Sequence, residues 1–312
     1  MKAKAPAKSL TLIQLFDRFD TDEKARKHLE LILWPNGPVC PHCKCNDQAK
    51  IAERAANKDK KIRPGLRFCS NCQKQFTVTI GTIFEDSHIP LRKWLIAWYL
   101  LCSSKKGIAS LALQRLLELG SYRTALFMTH RIRYALQQTT FAEKLSGTVE
   151  VDEASIKSRA GDGREFGVKV AVVAMVQRGG AVRSQVMKTV SAINLKEAVM
   201  ANVEKQSQVH TDKLQGYVGL RSDYDHRSVK HGAGEFSRHE GPVHVTTANV
   251  ESYFSLLKRG VVGTFHHISE KHLPLYLAEF DFRHSLRNET DGQRTDIALT
   301  KAAGKRLIYK TA

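Results

Sequence analysis

The chain has 312 residues, of which 42% are hydrophobic, enough for two or three domains with buried cores. Lysine and arginine number 49 against 31 aspartates and glutamates, and the formal net charge of +18 favours a polyanionic partner, nucleic acid first. The longest apolar run, residues 94–102, is far shorter than the roughly 20 residues of a membrane span. The N-terminal lysines precede a segment that turns acidic and has no small-residue cleavage site, so we expect neither secretion nor a membrane partner.

Two C-x2-C pairs predict a metal site in the first quarter of the chain. Residues 9–32 have the apolar spacing of helices, which the proline- and glycine-containing residues 34–38 end. Each cysteine pair that follows places two thiolates on one tight turn, and two such turns facing each other form a tetrahedral zinc site. Five of the six cysteines cluster here in a chain without an export signal, which favours a metal over disulfides. The predicted zinc ligands are Cys40, Cys43, Cys69 and Cys72.

The linker between the pairs, residues 44–68, is longer than the roughly 15–20 residues that are usual. It is also strongly basic, which is compatible either with contacts to DNA phosphates or with a solvated loop around a purely structural zinc. Cys45 is interpreted as a spare cysteine and Cys102 as part of an apolar helix core. The basic residues of the linker are Lys50, Arg54, Lys58, Lys60, Lys61, Arg63 and Arg67.

The next segment predicts a strand and three helices. Residues 75–84 alternate as a strand does, and a helix is expected over 91–103. Helices over 107–119 and 122–137, joined through Gly120-Ser121, have the pattern of a helix-turn-helix whose second helix is a candidate for the DNA major groove. Any pair of amphipathic helices looks similar, so the pattern gains weight only beside a basic zinc module. The arginines predicted to face outwards from the second helix and to bind DNA are Arg123, Arg131 and Arg133.

From residue 147 onwards the sequence favours an α/β domain. Strands are expected over 147–153, 168–176 and 181–190, with a polar hairpin link at 157–165 and a tight turn at Gly179-Gly180. A helix over 194–205 and a strand over 208–212 follow. Three strands, a helix and a returning strand are the order of a mixed sheet covered by helices.

Two aspartates and a glutamate in this half are candidate metal ligands. Asp152 shares one face of its strand with Glu150, while the alternate valines face the other way. Asp212 ends the strand 208–212, although it would equally suit the N-cap of a helix over 213–220. Clustered carboxylates repel one another unless hard divalent cations offset their charge. Glu150 and Glu153 are interpreted as surface or supporting charges.

The third acid lies in a predicted helix within residues 244–267. At 100° per residue, Val250, Tyr253, Phe254 and Leu257 share an apolar face, whereas Glu251, Ser255 and Lys258 lie about a quarter-turn away. Thr247 or Asn249 is expected to cap the helix, and Gly260 to end it. A closing helix is predicted over 276–287, followed by a basic, only partly ordered tail.

Together these motifs closely resemble the bacterial insertion-sequence transposases of the DDE type that carry a zinc ribbon ahead of an RNase H-like domain. The resemblance runs from about Phe16 to Tyr309 and rests on WPNGPVCPHC, FCSNCQKQFTVTIGTIFEDSHIPLRKW, SSKKGIAS, GTVEVDE, VHTD, VESYFSLLKRGVVGTFHHISEKHL and YLAEFDFRHSLR. It implies that Asp152, Asp212 and Glu251 are catalytic and bind Mg²⁺ or Mn²⁺, and that Lys258 and Arg259 grip the DNA backbone. Relatives often carry asparagine three residues before the glutamate, where this chain has Ala248.

The resemblance implies five consecutive regions and a cytoplasmic, nucleoid-associated protein. We expect such a protein to bind terminal inverted repeats, cleave them with Mg²⁺ and join them to target DNA as a homo-oligomer in a synaptic complex. The alternatives are a non-catalytic zinc-dependent DNA-binding regulator and a nuclease that does not join ends. The predicted regions are an N-terminal helical segment (1–36), a zinc ribbon (37–84), a helix-turn-helix region (85–144), an RNase H-like catalytic domain (145–290) and a basic tail (291–312).

Overall fold

The computed structural model describes residues 10–57, 59–60, 62–137, 143–159, 166–212 and 215–307. The chain forms two compact units, and the first takes in C-terminal as well as N-terminal residues, which a division into consecutive segments does not anticipate. The first unit is Met1–Ser104, Ser110–Leu136 and Asn288–Ala312, and the second is Lys105–Ala109 and Gln137–Arg287.

The α-helices and strands are numbered in chain order. The helices are α1 Leu12–Arg18, α2 Asp22–Leu33, α3 Leu91–Ser103, α4 Ser110–Leu116, α5 Tyr122–Leu136, α6 Ala192–Asn202, α7 Ala248–Gly260, α8 Leu273–Ser285 and α9 Asp291–Thr300. The strands are β1 Ile51–Glu53, β2 Arg67–Cys69, β3 Lys74–Phe76, β4 Thr148–Arg159, β5 Phe166–Gln177, β6 Val182–Met187, β7 Gln208–Asp212, β8 Asp225–Val229, β9 Ser237–Glu240 and β10 Val243–Thr246. No helix among the described residues is long and apolar enough to span a membrane.

In the first unit, a small antiparallel sheet of order β1-β2-β3 holds the two cysteine turns. The strand predicted over 75–84 is wrong beyond Phe76, where β3 ends and a series of turns begins. Gly81 lies within these turns at φ +74°, a left-handed conformation that interrupts an extended strand. Phe76 and Val78 are nonetheless buried, because the turns pack over the core even though they do not continue the sheet.

The helical part of the first unit is built around α3, whose Trp94 and Trp98 are fully buried and which packs against α2, α5 and α9. Helix α9 occupies residues that the sequence predicts as part of a basic, partly ordered tail. It begins with a capping box between Thr290 and Gln293. It also buries Ala298 and Leu299, so it forms part of the core rather than a tail.

The second unit contains a five-stranded mixed sheet of order β6-β5-β4-β7-β8, which confirms the predicted α/β fold with flanking helices. β4 pairs antiparallel with β5 and parallel with β7, and β7 pairs parallel with β8. Because side chains alternate along β4, its two faces enter different cores. Val149 and Val151 pack with α6, whereas Ala154 and Ile156 pack with α7 and α8. The sheet is therefore covered by helices on both faces, and the predicted hairpin link at 157–165 lies mostly outside the described residues.

Candidate metal centres

The first candidate centre is formed by the four cysteines of the two turns in the first unit. Their sulfur atoms lie within 4.8 Å of one another, with Cys40 and Cys72 sulfurs 3.6 Å apart and Cys43 and Cys69 sulfurs 3.7 Å apart. Zinc–sulfur bonds of about 2.3 Å place the sulfurs of a tetrahedral site about 3.8 Å apart. The cluster therefore fits a structural zinc ion with four thiolate ligands.

The backbone of both cysteine turns is shaped for this geometry. The residue after each pair, Lys44 and Gln73, has a left-handed backbone with φ of +61° and +59°, and each donates its N–H to the carbonyl of the pair's first cysteine. The Asn71 side-chain amide donates to the sulfur of Cys43, and this hydrogen bond is the main reason that the pKa of the Cys43 thiol is lowered to about 6. A lowered pKa favours the thiolate that binds metal.

The basic linker of the zinc turns is exposed in part. Arg67 is half-buried, because Glu30 on α2 holds its guanidinium at 3.3 Å. Lys58 and Lys61 lie outside the described residues. The remaining basic residues of the linker are exposed and available to a phosphate backbone, and they are Lys50, Arg54, Lys60 and Arg63.

The second candidate centre begins with two aspartates on adjacent parallel strands of the second unit. Glu150 on β4 pairs in register with His210 on β7. Asp152 and Asp212 each follow this pair by two residues, and because side chains alternate along a strand, both lie on the face that α7 covers. Both aspartates are partly exposed, as a ligand of an ion at the edge of a core must be.

Glu251, the third acid, lies in the first turn of α7 with its side chain 46% exposed. The Thr247 hydroxyl donates to Glu251 Oε1 at 2.6 Å, so Thr247 orients this carboxylate and does not cap the helix through its side chain as predicted. His231 Nε2 lies 3.2 Å from the same carboxylate oxygen and 2.9 Å from the Thr247 hydroxyl. Thr247 and His231 therefore fix the direction of the Glu251 carboxylate.

The charges of the other two acids act on Asp152. Burial is the largest cause that raises the pKa of Asp152 to about 7, and the negative charge of Glu153 is the next. The charges of Asp212 and Glu251 raise this pKa further, while the Glu153 N–H, which donates to Asp152 Oδ1 at 2.9 Å, lowers it. Mutual repulsion of this kind marks a place where a cation would bind favourably.

The three carboxylates are spread more widely than the cysteines. Within the described parts of the chain, the four cysteines form the only group of metal-ligating side chains whose ligand atoms lie within 4.8 Å of one another. Two metal ions roughly 3.5–4 Å apart, each with oxygen ligands at about 2.1 Å, bring together carboxylates up to about 8 Å apart. Carboxylate oxygens are hard ligands of the kind that Mg²⁺ prefers.

Of the two roles that the sequence left open for Glu150 and Glu153, surface or supporting charges, the surface role is wrong for Glu150. Glu150 is fully buried and forms an ion pair with Arg178 at 2.8 Å. Glu153 is half-buried and accepts a hydrogen bond from the hydroxyl of the buried Tyr217. The even spacing of Glu150 and Asp152 along the strand was the only signal in the sequence that linked Glu150 to the acids.

The exposed end of α7 carries the two basic residues that sequence analysis assigned to DNA. Lys258 and Arg259 are both exposed, and the four residues predicted for the apolar face are buried. Gly260 is the last residue of α7, as predicted, and a π-helical turn over Val261–Phe265 follows directly. Gly260 also serves close packing, since a Cβ there would lie 2.5 Å from the Phe280 ring and 2.8 Å from the carbonyl oxygen of Lys106.

The prediction that Arg131 and Arg133 face outwards from α5 is wrong. Arg133 is fully buried and Arg131 is 7% exposed, with its guanidinium donating to the carbonyl of Glu85 at 2.8 Å and packed over the Trp94 ring. Helix α5 packs against both α3 and α4, so more than one of its sides is enclosed. Arg123 is exposed, as predicted, and remains the candidate DNA contact of this helix.

Comparison with known proteins assigns both centres to one kind of protein. Residues 144–285 match the ISXO2-like transposase domain, and residues 20–75 match a transposase zinc-ribbon domain. The chain thus carries a transposase zinc ribbon followed by an ISXO2-like transposase domain. A relative described as an uncharacterized protein in transposable element ISH50 of Halobacterium salinarum is 28% identical over 286 residues, which cover 85% of this chain and 91% of the relative.

The two matched domains account for the main features of both units. The matched zinc ribbon contains all four clustered cysteines, and the matched transposase domain contains the mixed sheet and all three acids. The predicted DDE transposase with a zinc ribbon and a helix-flanked mixed sheet is thus confirmed at the level of family and fold.

Proposed function

We propose that this transposase cleaves the ends of an insertion sequence and joins them to target DNA, with Asp152, Asp212 and Glu251 as the ligands of two Mg²⁺ or Mn²⁺ ions. The observation that carries this proposal is the raising of the Asp152 pKa by the charges of both Asp212 and Glu251, with Asp152 and Asp212 each two residues beyond the paired Glu150 and His210 on adjacent parallel strands. Mg²⁺ bound there would activate a water or a 3′-hydroxyl and stabilise the leaving oxygen of a phosphodiester.

The residues of the chain supply position and charge for this chemistry. Lys258 and Arg259 lie two turns of α7 beyond Glu251 and are suited to hold a backbone phosphate near the acids. Arg123 and the exposed basic residues of the zinc ribbon are suited to bind terminal inverted repeats. Because two ends must be brought together, we expect a homo-oligomer in the synaptic complex, acting on nucleoid DNA in the cytoplasm.

The test uses DNA from either side of the gene, where short inverted repeats bracketed by a direct duplication define the ends. A linear duplex that carries one end is incubated with the full chain, Mg²⁺ and supercoiled target, and joined product is measured. We expect Asp152→Asn to lower cleavage and joining on the order of a thousandfold while end binding is retained. Asp223→Asn removes another aspartate of the second unit, which pairs with Lys196 outside the acids, and should remain active.

Three outcomes would overturn the proposal. End cleavage without joined product would identify a nuclease, and salt-sensitive binding without cleavage would identify a DNA-binding regulator. Loss of both binding and chemistry in Asp152→Asn would assign this residue to folding.

A further inference from the structure

A fully buried carboxylate connects β4 to the start of α7. Glu150 Oε2 accepts the backbone N–H groups of Asn249 at 2.7 Å and Val250 at 3.2 Å. Glu150 Oε1 accepts the Asn249 side-chain amide at 2.8 Å and Arg178 Nε at 2.8 Å. The first turn of α7 is therefore capped by a carboxylate from a distant strand, which satisfies N–H groups that no helical carbonyl can reach.

Arg178, which directly follows β5, extends this contact to two further elements. Its Nη1 donates to the carbonyl of His244 at 2.7 Å, and its Nη2 donates to the carbonyl of Thr246 at 3.3 Å, so it holds β10, the strand that leads into α7. The same Nη2 donates to Nδ1 of the fully buried His210 on β7 at 3.1 Å. One guanidinium thus bonds to β4, β7 and β10 at once.

The members of this network have a common relation to the three acids. Glu150 precedes Asp152 by two residues, and His210 precedes Asp212 by two residues. Asn249 likewise precedes Glu251 by two residues. On a strand, a residue two positions away is the next side chain on the same face. The network therefore fixes the backbone of each acid-bearing element immediately before its acid.

We propose that Glu150, Arg178, His210 and Asn249 form a positioning frame that sets the separation of the three carboxylates and so their affinity for divalent metal. This inference rests on the proposed function, because it assumes that the acids bind metal. A buried ion pair is a poor source of stability compared with apolar packing, but its directional bonds fix geometry. Carboxylates that lie near one another without a metal repel each other. They need such a frame to keep them from separating further.

The test is a measurement of Mn²⁺ binding to the full chain by electron paramagnetic resonance, which requires no catalytic turnover. Glu150→Gln replaces one of the two acceptor oxygens by an NH₂ donor, so either the N–H groups of α7 or the donors of Arg178 and the Asn249 side chain lose their acceptor. We expect Glu150→Gln to weaken Mn²⁺ binding at least about tenfold, the usual effect of removing a group that orients metal ligands. Asn249→Ala keeps both backbone bonds to Glu150 and removes only the side-chain bond, so it should weaken binding about threefold, the effect of a single hydrogen bond.

Glu279→Gln is the matched control. Glu279 is also fully buried in the second unit, where the Arg283 guanidinium donates to its carboxylate. Glu279 lies on α8 and is not part of the frame. We expect its Mn²⁺ affinity to stay within about twofold of the wild type, even where its stability falls. Zinc content and circular dichroism establish whether each variant is folded. If Glu150→Gln does not fold, Asn249→Ala is used for the test in its place.

The outcomes separate the two proposals. If Asp152→Asn binds Mn²⁺ as the wild type does, the metal site itself is refuted, and the positioning frame with it. If Asp152→Asn loses binding but the folded frame variants keep it, the metal site stands and the frame is refuted. An equal loss in Glu279→Gln and in the frame variants would also refute the frame, because it would show a general effect of buried charge.

Discussion

The zinc centre takes its four ligands from two short turns, whereas the three carboxylates come from two strands and a helix that are distant in the sequence. In the zinc ribbon the sulfurs already lie at metal-binding distances, and the apolar cluster around them is small, with Cys40, Ile51, Cys69 and Phe76 as its buried members. The carboxylates, by contrast, lie beside a large apolar core and a buried hydrogen-bonded frame. We therefore expect metal to stabilise the fold in the first region and to serve chemistry in the second.

The largest expected effect is the loss of zinc in Cys69→Ser. Three thiolates bind zinc far more weakly than four, and structural zinc contributes on the order of 10 kcal/mol to small zinc domains, so the ribbon should unfold. Hydrogen exchange measured by mass spectrometry should show lost protection in residues 40–76 and unchanged protection in β5. DNA-end binding should weaken as well.

Cys45→Ser is the control for that experiment. Cys45 is not part of the four-cysteine cluster, so the variant should keep one zinc per chain. A zinc content unchanged in Cys69→Ser, or a loss of protection that spread equally into β5, would contradict the contrast between the regions.

An effect of intermediate size concerns Asp281 in the second unit. The Tyr253 hydroxyl and the Ser184 N–H donate to its carboxylate at 2.6 and 2.8 Å, yet burial raises the pKa of Asp281 from 3.8 to about 7. The folded state thus binds a proton more tightly than the unfolded state. The proton on Asp281 therefore contributes on the order of 3 kcal/mol to the free energy of unfolding. This contribution is complete below about pH 4 and is lost as pH rises to about 7.

Urea unfolding at pH 5 and pH 8 measures this loss. The wild type should lose more stability between the two pH values than Asp281→Asn, in which the titrating group is absent. Asp225→Asn, a change at a half-exposed carboxylate paired with Arg227, should behave as the wild type does. Equal pH dependence in the wild type and Asp281→Asn would disprove this role of Asp281.

The smallest expected effect is that of Thr247→Val, which keeps the shape of the side chain and removes the hydrogen bond to Glu251. One such bond contributes about 1 kcal/mol, so DNA-end cleavage should slow roughly fivefold at unchanged zinc content. Thr247→Ser retains the hydroxyl and should restore the rate. Cleavage that is equally slow in both variants would show that the methyl group, not the hydroxyl, matters.

Much of the fold was predictable because its signals are local. The cysteine pairs, the strand alternation around Asp152 and the apolar face of α7 each depend on neighbouring residues. The C-terminal strand position of Asp212 was equally visible, because β7 is short and ends at that residue.

The errors arise where distant packing decides the outcome. Arg131 and Arg133 look exposed on a helical wheel, but α5 is enclosed on more than one side. Glu150 looks like a surface charge, because only the folded chain brings Arg178 and the N–H groups of α7 to it. Thr247 precedes α7 as a helix cap would, yet the side chain that accepts the first N–H groups of α7 is that of Glu150. No local sequence pattern identifies partners that are so distant along the chain.

Helix α9 has a consequence for the order in which the chain folds during synthesis. It closes the core around α3, where Arg294 donates to the carbonyl of Cys102 at 3.0 Å and Asp296 bonds to His28 at 2.9 Å. The first unit thus remains incomplete on the ribosome until residues near 300 emerge, after the whole second unit has been translated. A late stop codon would therefore produce a chain whose zinc-bearing unit is incomplete, although the missing residues are those farthest from the cysteines in the sequence.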